Sequence, residues 1–325
     1  MARSSIAFVR MLFVALPTLV GIAAADAAET YPNKAIHLIS PFAAGVSTDV
    51  LARALAQKLT ENLGQPVIVE NRPGANGIIG ASYVAKSAPD GYTFLITTGS
   101  HTANPHVSKD VPYDALKDFT PITQLAGSYG LVLLSNLPVK SVGGLVELAK
   151  KKPGQLTYST SGVGNLTHVA GRLLEARAGI KMIAVPYNNS ALIPDTIAGT
   201  VDMTFISSVS AVPLVKGGQL KALAVTGTRR APALPDVPTF REAGIKDYDL
   251  TGYFGILFPA NTPADRVDRI YQATVKALAT PELKSIIETA GLFVVGSTPA
   301  EFGAFLKQDF KYQGRLMEEL NMKVK

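Results

Sequence analysis

Three stretches rich in Gly, Ser and Thr follow short apolar runs, and their residue types suit the binding of a small anion. They are Pro41-Phe42-Ala43-Ala44-Gly45-Val46-Ser47-Thr48-Asp49, Thr97-Thr98-Gly99-Ser100-His101-Thr102, and Ser159-Thr160-Ser161-Gly162-Val163-Gly164-Asn165-Leu166-Thr167-His168. The first and third lead into helical patterns, where unpaired backbone N–H groups and the helix dipole favour negative charge. None of the three contains Lys or Arg. An anion held by neutral donors alone is a carboxylate that must be released again. Each stretch also has a plainer reading. Asp49 is an ordinary helix N-cap residue type, and a lone His101 or His168 is more often a hydrogen-bonded structural histidine than a ligand contact.

Catalytic alternatives lack their residues. Gly162-Val163-Gly164 begins a dinucleotide fingerprint, but Thr167 stands at its last glycine position and Pro186-Tyr187-Asn188 replace the acid expected after the next strand. There is no G-K-[ST] phosphate loop, no G-x-S-x-G elbow and no H-E-x-x-H. The chain has no cysteine, which removes thiolate metal sites, disulfides and cysteine nucleophiles together. Its four histidines are not at metal-ligand spacing. No metal, no cofactor and no enzymatic activity are expected. The lysines and arginines are scattered, Lys150-Lys151-Lys152 being the longest run, so no nucleic-acid-binding stripe is present.

These stretches need a scaffold, and the N-terminus bears on where it works. Arg3 and Arg10 precede and open a charge-free apolar run from Met11 to Ala25, and Ala25-Asp26-Ala27 fits an A-x-A cleavage site. The run is short of the roughly 20 residues that span a bilayer. Residues 1–27 therefore read as a signal peptide cut near Ala27, leaving 298 residues for the periplasm. Loss of Arg3, Arg10 and Asp26 takes the net charge from +6 to +5.

Beyond the leader, β-branched runs alternate with helical spacing. Strands are expected at Ile36–Ser40, Pro66–Glu70, Tyr92–Thr97, Leu131–Leu134, Leu156–Ser159, Met182–Val185, Met203–Ile206, Ala222–Val225 and Tyr253–Phe258. Helices are expected at Asp49–Leu63, Gly77–Lys86, Val142–Lys151, Leu166–Ala178, Ala191–Ala198, Pro263–Ala279, Pro281–Ala290 and Pro299–Leu320. The order is α/β, with mainly parallel sheets covered by helices. The last helices have a single strand before them, too little for a sheet of their own. They complete the first lobe, which spans residues 28–128 plus 252–325, while 129–251 form the second. Two crossings, near Gly127–Leu131 and Leu250–Gly252, make a hinge with a ligand cleft between the lobes.

The same stretches carry a family resemblance. The chain resembles the Bug or TctC-type solute-binding proteins of tripartite tricarboxylate transporters along essentially its whole mature length. The matching segments include Pro41-Phe42, Asp49-Val50-Leu51-Ala52-Arg53, Val69-Glu70-Asn71-Arg72-Pro73-Gly74-Ala75, Ala88-Pro89-Asp90-Gly91-Tyr92-Thr93, Val185-Pro186-Tyr187 and Ala233-Leu234-Pro235-Asp236-Val237-Pro238-Thr239. The resemblance implies a type II periplasmic binding fold that captures a carboxylate for the membrane subunits of such a transporter. It assigns the first grip to Phe42, Ala44, Thr48 and Asp49, with Thr98, Ser100, His101, Ser161, Gly164, Thr167 and His168 completing it. Three positions depart from the family pattern. Val46-Ser47 replace a Gly-Gly pair, Ser47 offering a hydroxyl in return. Ile206 replaces an acid that can pair with a ligand ammonium, which argues against an amino acid as cargo. Tyr253 replaces a tryptophan and could line the cleft.

The expectation is a monomeric binding protein for a mono-, di- or aromatic carboxylate. A ligand-sensing component that presents the bound acid to a signalling partner is the alternative, and a periplasmic hydrolase is a third reading.

Overall fold

The computed structural model of the chain describes residue 1 and residues 31–160, 166–187 and 191–322. The leader, Ser161 and Gly164 lie outside the described residues. The chain opens with β1 (Ile36–Ser40), α1 (Ser47–Leu63), β2 (Val67–Asn71), α2 (Ile78–Ala85), β3 (Thr93–Thr98), α3 (Ser100–Val107) and β4 (Phe119–Ser128). It continues through β5 (Leu131–Ser135), α4 (Val142–Lys151), β6 (Thr157–Thr160), α5 (Leu166–Ala178), β7 (Ile183–Pro186), α6 (Leu192–Ala198), β8 (Met203–Ser207), α7 (Ser208–Lys216) and β9 (Lys221–Val225). It ends in β10 (Tyr253–Pro259), α8 (Ala264–Leu278), α9 (Pro281–Thr289), β11 (Leu292–Val294) and α10 (Pro299–Glu319).

The strands form two sheets, ordered β11-β4-β10-β3-β1-β2 and β7-β6-β8-β5-β9. Both are mixed. In the first, β10 runs antiparallel to β3 and β4, and β11 antiparallel to β4. In the second, β5 runs antiparallel to β8 and β9. The cause is the crossing itself: β5 and β10 enter their sheets from the edge at which β4 and β9 end, so they run against their neighbours.

Each sheet is covered on both faces, as a largely parallel sheet must be. Alternation along the strands sorts the core. Leu38, Phe94, Ile96 and Ile256 pack with α1, α8 and α9, whereas Ile39, Leu95 and Leu257 pack with α2 and α10. In the second sheet Leu133, Met203 and Phe205 face α4 and α5, and Val132, Leu134 and Ile206 face α7. Helix α1 follows from Leu51, Leu55, Leu59 and Leu63 on one buried stripe, and it stops at Gly64, whose φ of 72° suits only a residue without Cβ strain.

The crossings are tightly built. Ser128 N–H donates to the Gly252 carbonyl at 2.8 Å. Thr226 Oγ1 accepts from Leu131 N–H at 2.8 Å and donates to the Leu250 carbonyl at 2.6 Å. Gly130 has φ of 86°, and a Cβ there would meet Thr226 Oγ1 at 2.4 Å.

Four elements were not expected from the sequence: α3, β4, α7 and β11. Ser100–Val107 is helix α3, not loop, despite Pro105 within it. Strand β4 contains Pro121, whose missing N–H is accommodated beside a register shift at Ile256/Leu257. Helix α7 and strand β11 were also unforeseen. Helix α10 is not confined to the first lobe: Phe302 and Leu306 enter the first lobe's core, but Leu316, Met317 and Leu320 at its far end enter the second.

Candidate functional site

Between the sheets lies a cleft of about 620 Å³. Its position follows from strand direction, since β1, β3, β6 and β8 end at it and the helices after them begin there. Ser47 and Thr48 at the start of α1, Ser100 at the start of α3, Leu166 at the start of α5 and Ser208 at the start of α7 all line it. Each opening turn has N–H groups without intrahelical partners. Among the described residues no charged side chain lines the cleft.

The first loop is shaped by Asp49. Its carboxylate accepts from Gly45 N–H at 2.9 Å, Arg53 Nε at 3.0 Å and Asn71 Nδ2 at 2.8 Å, while Asn71 Nδ2 also donates to the Phe42 carbonyl at 3.1 Å. Burial works against the Asp49 charge, but the bonds from Arg53, Gly45 and Asn71 outweigh it and hold the carboxyl below its usual range. The left-handed conformation falls at Gly45, with φ of 85°, Val46 is ordinary extended backbone and Ser47 opens α1, so replacing the glycine pair costs the loop no left-handed strain. Phe42, Ser47 and Thr48 line the cleft; Ala44 is exposed outside it and Asp49 is buried beneath the loop.

In the second stretch Thr98 and Ser100 line the cleft, with their hydroxyls 3.0 Å apart. His101 does not. Its ring is buried between Tyr113 and Phe119, Nε2 lies 2.8 Å from the Ala115 carbonyl, and burial drives its pKa down to about 4. A neutral ring in that position holds the 113–119 segment on α3. In the third stretch Thr167 pairs with Thr160 through hydroxyls 3.0 Å apart, and His168 sits one residue from the cleft-lining Val169.

Ile206 also departs from expectation. Strand alternation turns it into the cluster of Val132, Leu134 and Ala211, and the next two residues, Ser207 and Ser208, reach the cleft in its place. Tyr253 lines the cleft and is 3% exposed, its ring edge-on to Phe305 at 5.0 Å. Its hydroxyl lies buried beside Thr102 without a hydrogen bond of good geometry.

Several lining residues gave no local sign in the sequence. Ser128, Gly130, Leu250 and Thr251 come from the crossings, Ala290 and Gly291 from the α9–β11 turn, and Gln313 and Met317 from α10. They reach the cleft only through tertiary placement.

The comparisons with known proteins agree with this geometry. A family model described as "Tripartite tricarboxylate transporter family receptor", TctC, matches residues 51–322. The protein BugT of Bordetella pertussis is 32% identical over 94% of this chain and 95% of its own length. A solved structure described as a periplasmic transporter is 37% identical, covers 90% of this chain and 99% of its own, and superposes with a TM-score of 0.78. Rpa4515 of R. palustris, solved with adipate, is 32% identical over 90% of this chain and 98% of its own, with a TM-score of 0.77. The chain belongs to the TctC family of tripartite tricarboxylate transporter receptors.

Proposed function

We propose that the protein is a periplasmic receptor that captures a small organic carboxylate in the interlobe cleft and delivers it to the membrane subunits of a tripartite transporter. The observation that carries this reading is a cleft onto which four helix N-termini open, with hydroxyls and backbone amides but no charged side chain among the described lining residues. Such a site holds an anion by oriented neutral donors, strongly enough to capture and weakly enough to release. The adipate bound to Rpa4515 supports a carboxylate as cargo. Phe42, Leu131, Val169, Leu250, Phe254 and Met317 give the cleft an apolar body suited to a carbon chain or ring. The absence of a lining acid among the described residues disfavours an amino acid zwitterion, since its ammonium would lack a counter-charge.

On this reading the grip on the carboxylate comes from Phe42, Ser47, Thr48, Thr98 and Ser100 in the first lobe, with Asp49 holding the loop of the first three. Residues 28–128 plus 252–325 and residues 129–251 are the two bodies that close on the ligand, and α10 belongs to both. Export by cleavage near Ala27 brings the mature chain to its place of work. The test is a thermal-shift panel of mono-, di- and aromatic acids with native mass spectrometry of the freshly purified protein. An acid at 100 times its Kd stabilises the folded state by about 2.7 kcal/mol, so a clear upward shift in Tm is expected. A flat panel with no co-purifying acid would overturn the reading.

A further inference from the structure

Gln313 is the buried polar side chain of the cleft that α10 brings in, and its amide is only half satisfied. It is 6% exposed and lines the cleft one helical turn before Met317. A buried amide offers two N–H donors and one carbonyl acceptor, and such groups are ordinarily paired. One of the two N–H groups is accounted for: Gln313 Nε2 donates to Asp309 Oδ1 at 3.4 Å, the i,i+4 neighbour on α10. Asp309 in turn accepts from Thr102 Oγ1 on α3. An acceptor-only carboxylate dictates which way the amide points, so the nitrogen must face Asp309 and the oxygen must face away. Among the described residues Oε1 receives no donor from the protein. The cleft is the space that Gln313 lines.

The placement of this oxygen is rigid. Leu306 anchors α10 in one core, Leu316 and Leu320 anchor it in the other, and Gln313 lies between. A polar group held by packing and by a second layer of hydrogen bonds is built for recognition.

We infer that Gln313 is a specificity residue that selects acids carrying a hydroxyl on the carbon chain, its Oε1 accepting the hydroxyl proton. Asp309 is the positioning residue that keeps the oxygen aimed at the cleft. The inference rests on the carboxylate-binding reading above and narrows it. An acid with no donor leaves Oε1 to a water or unpaired, and a net hydrogen bond of ordinary strength is about a tenfold difference in Kd. An ammonium would satisfy Oε1 equally but brings a positive charge into a cleft whose described lining has no acid, so the hydroxylated acid is the better match.

The test is isothermal titration with acids differing in one group. The series are succinate, malate and aspartate, and adipate, 3-hydroxyadipate and 2-aminoadipate, taking the series whose unsubstituted member gives the larger thermal shift. The wild-type protein should bind the hydroxylated acid about tenfold more tightly than the unsubstituted one. Gln313→Met keeps the length of the side chain and removes the acceptor, and should bring the two within about twofold. Asp309→Asn, which lets the Gln313 amide turn over, should shrink the preference too. Equal wild-type affinities, tighter binding of the amino acid, or an unchanged preference in Gln313→Met would each overturn the assignment. The wild-type comparison decides even where a variant fails to fold. Failure of every acid in both series to bind, with a flat thermal-shift panel, overturns the carboxylate reading itself, an outcome distinct from binding without a hydroxyl preference.

Discussion

Asp49 shows how one side chain can govern a site it does not line. Its carboxylate ties Gly45, Arg53 and Asn71 together, and Asn71 reaches on to the Phe42 carbonyl. Removing it in Asp49→Ala deprives the Gly45 N–H, Arg53 Nε and one N–H of the half-buried Asn71 amide of their charged acceptor, a loss of about 1–3 kcal/mol, and loosens the loop that presents Ser47 and Thr48. Acid affinity is expected to fall about tenfold or more by isothermal titration; unaltered affinity would separate the loop from binding. The pH dependence has a defined sign. The folded carboxyl sits below its ordinary 3.8, so its stabilising contribution is present above that value and is lost as the pH falls through the lower, folded one. The gap in urea midpoint between wild type and Asp49→Ala should therefore be flat from pH 7 to about pH 5 and narrow in more acidic solution. A gap that stays constant down to pH 3 would rule out the charged state as the source. Asp309 has the opposite sign, because burial outweighs its bonds from Thr102 and Gln313 and raises its pKa. Relative to Asp309→Asn, wild type should be most stable in acid and lose ground as the pH rises toward neutrality.

At the level of elements, one wall of the cleft depends on a glycine. Gly291, in the turn between α9 and β11, has φ of 72°, and a Cβ there would stand 2.4 Å from Ser208 Oγ and 3.1 Å from Val209 Cγ2 at the start of α7. Gly291→Ala adds left-handed strain of about 1–2 kcal/mol and forces the Ser208 hydroxyl and the Val209 side chain at the start of α7 to give way. Acid affinity should drop beyond what the Tm loss alone accounts for, and a variant that is less stable yet binds normally would remove this contact from closure. The turn also illustrates what was legible in the sequence and what was not. Strongly periodic segments such as Val142–Lys151 and Leu166–Ala178, and β-branched runs such as Ile36–Ser40, announced themselves. Strand β4 did not, because Pro121, Gln124 and Gly127 interrupt it and its place between β10 and β11 is set by partners far along the chain. Helices α3 and α7 carry Pro105 and Pro213 and owe their existence to packing rather than propensity. Around the cleft, Ser47, Thr48, Thr98 and Ser100 line it from the strand ends that the sequence marks, whereas Ile206 turns away by a single step of strand alternation and Gln313 has no local signature.

For the whole molecule, α10 changes what kind of machine the two sheets make. Two crossings alone would leave the lobes joined by short segments near Gly130 and Leu250, free to unfold apart. Helix α10 adds a third link that is a packed rod: Thr102 and Asp309 bind it to α3, and Arg177 pairs with Glu319 to bind its end to α5. Leu316 and Leu320, 2% and 3% exposed, are then as much a part of the second core as Phe205. Truncating either one removes core volume worth about 2–5 kcal/mol. If the rod couples the lobes, that cost is felt by the whole chain. Leu316→Ala should shift one calorimetric transition to lower temperature, with a calorimetric enthalpy equal to the van't Hoff value in both proteins. A trace that splits, with one component at the wild-type Tm, would mean that the lobes unfold independently. In that case α10 is cladding rather than coupling, and a residue such as Gln313 would have to find its aim within one lobe alone.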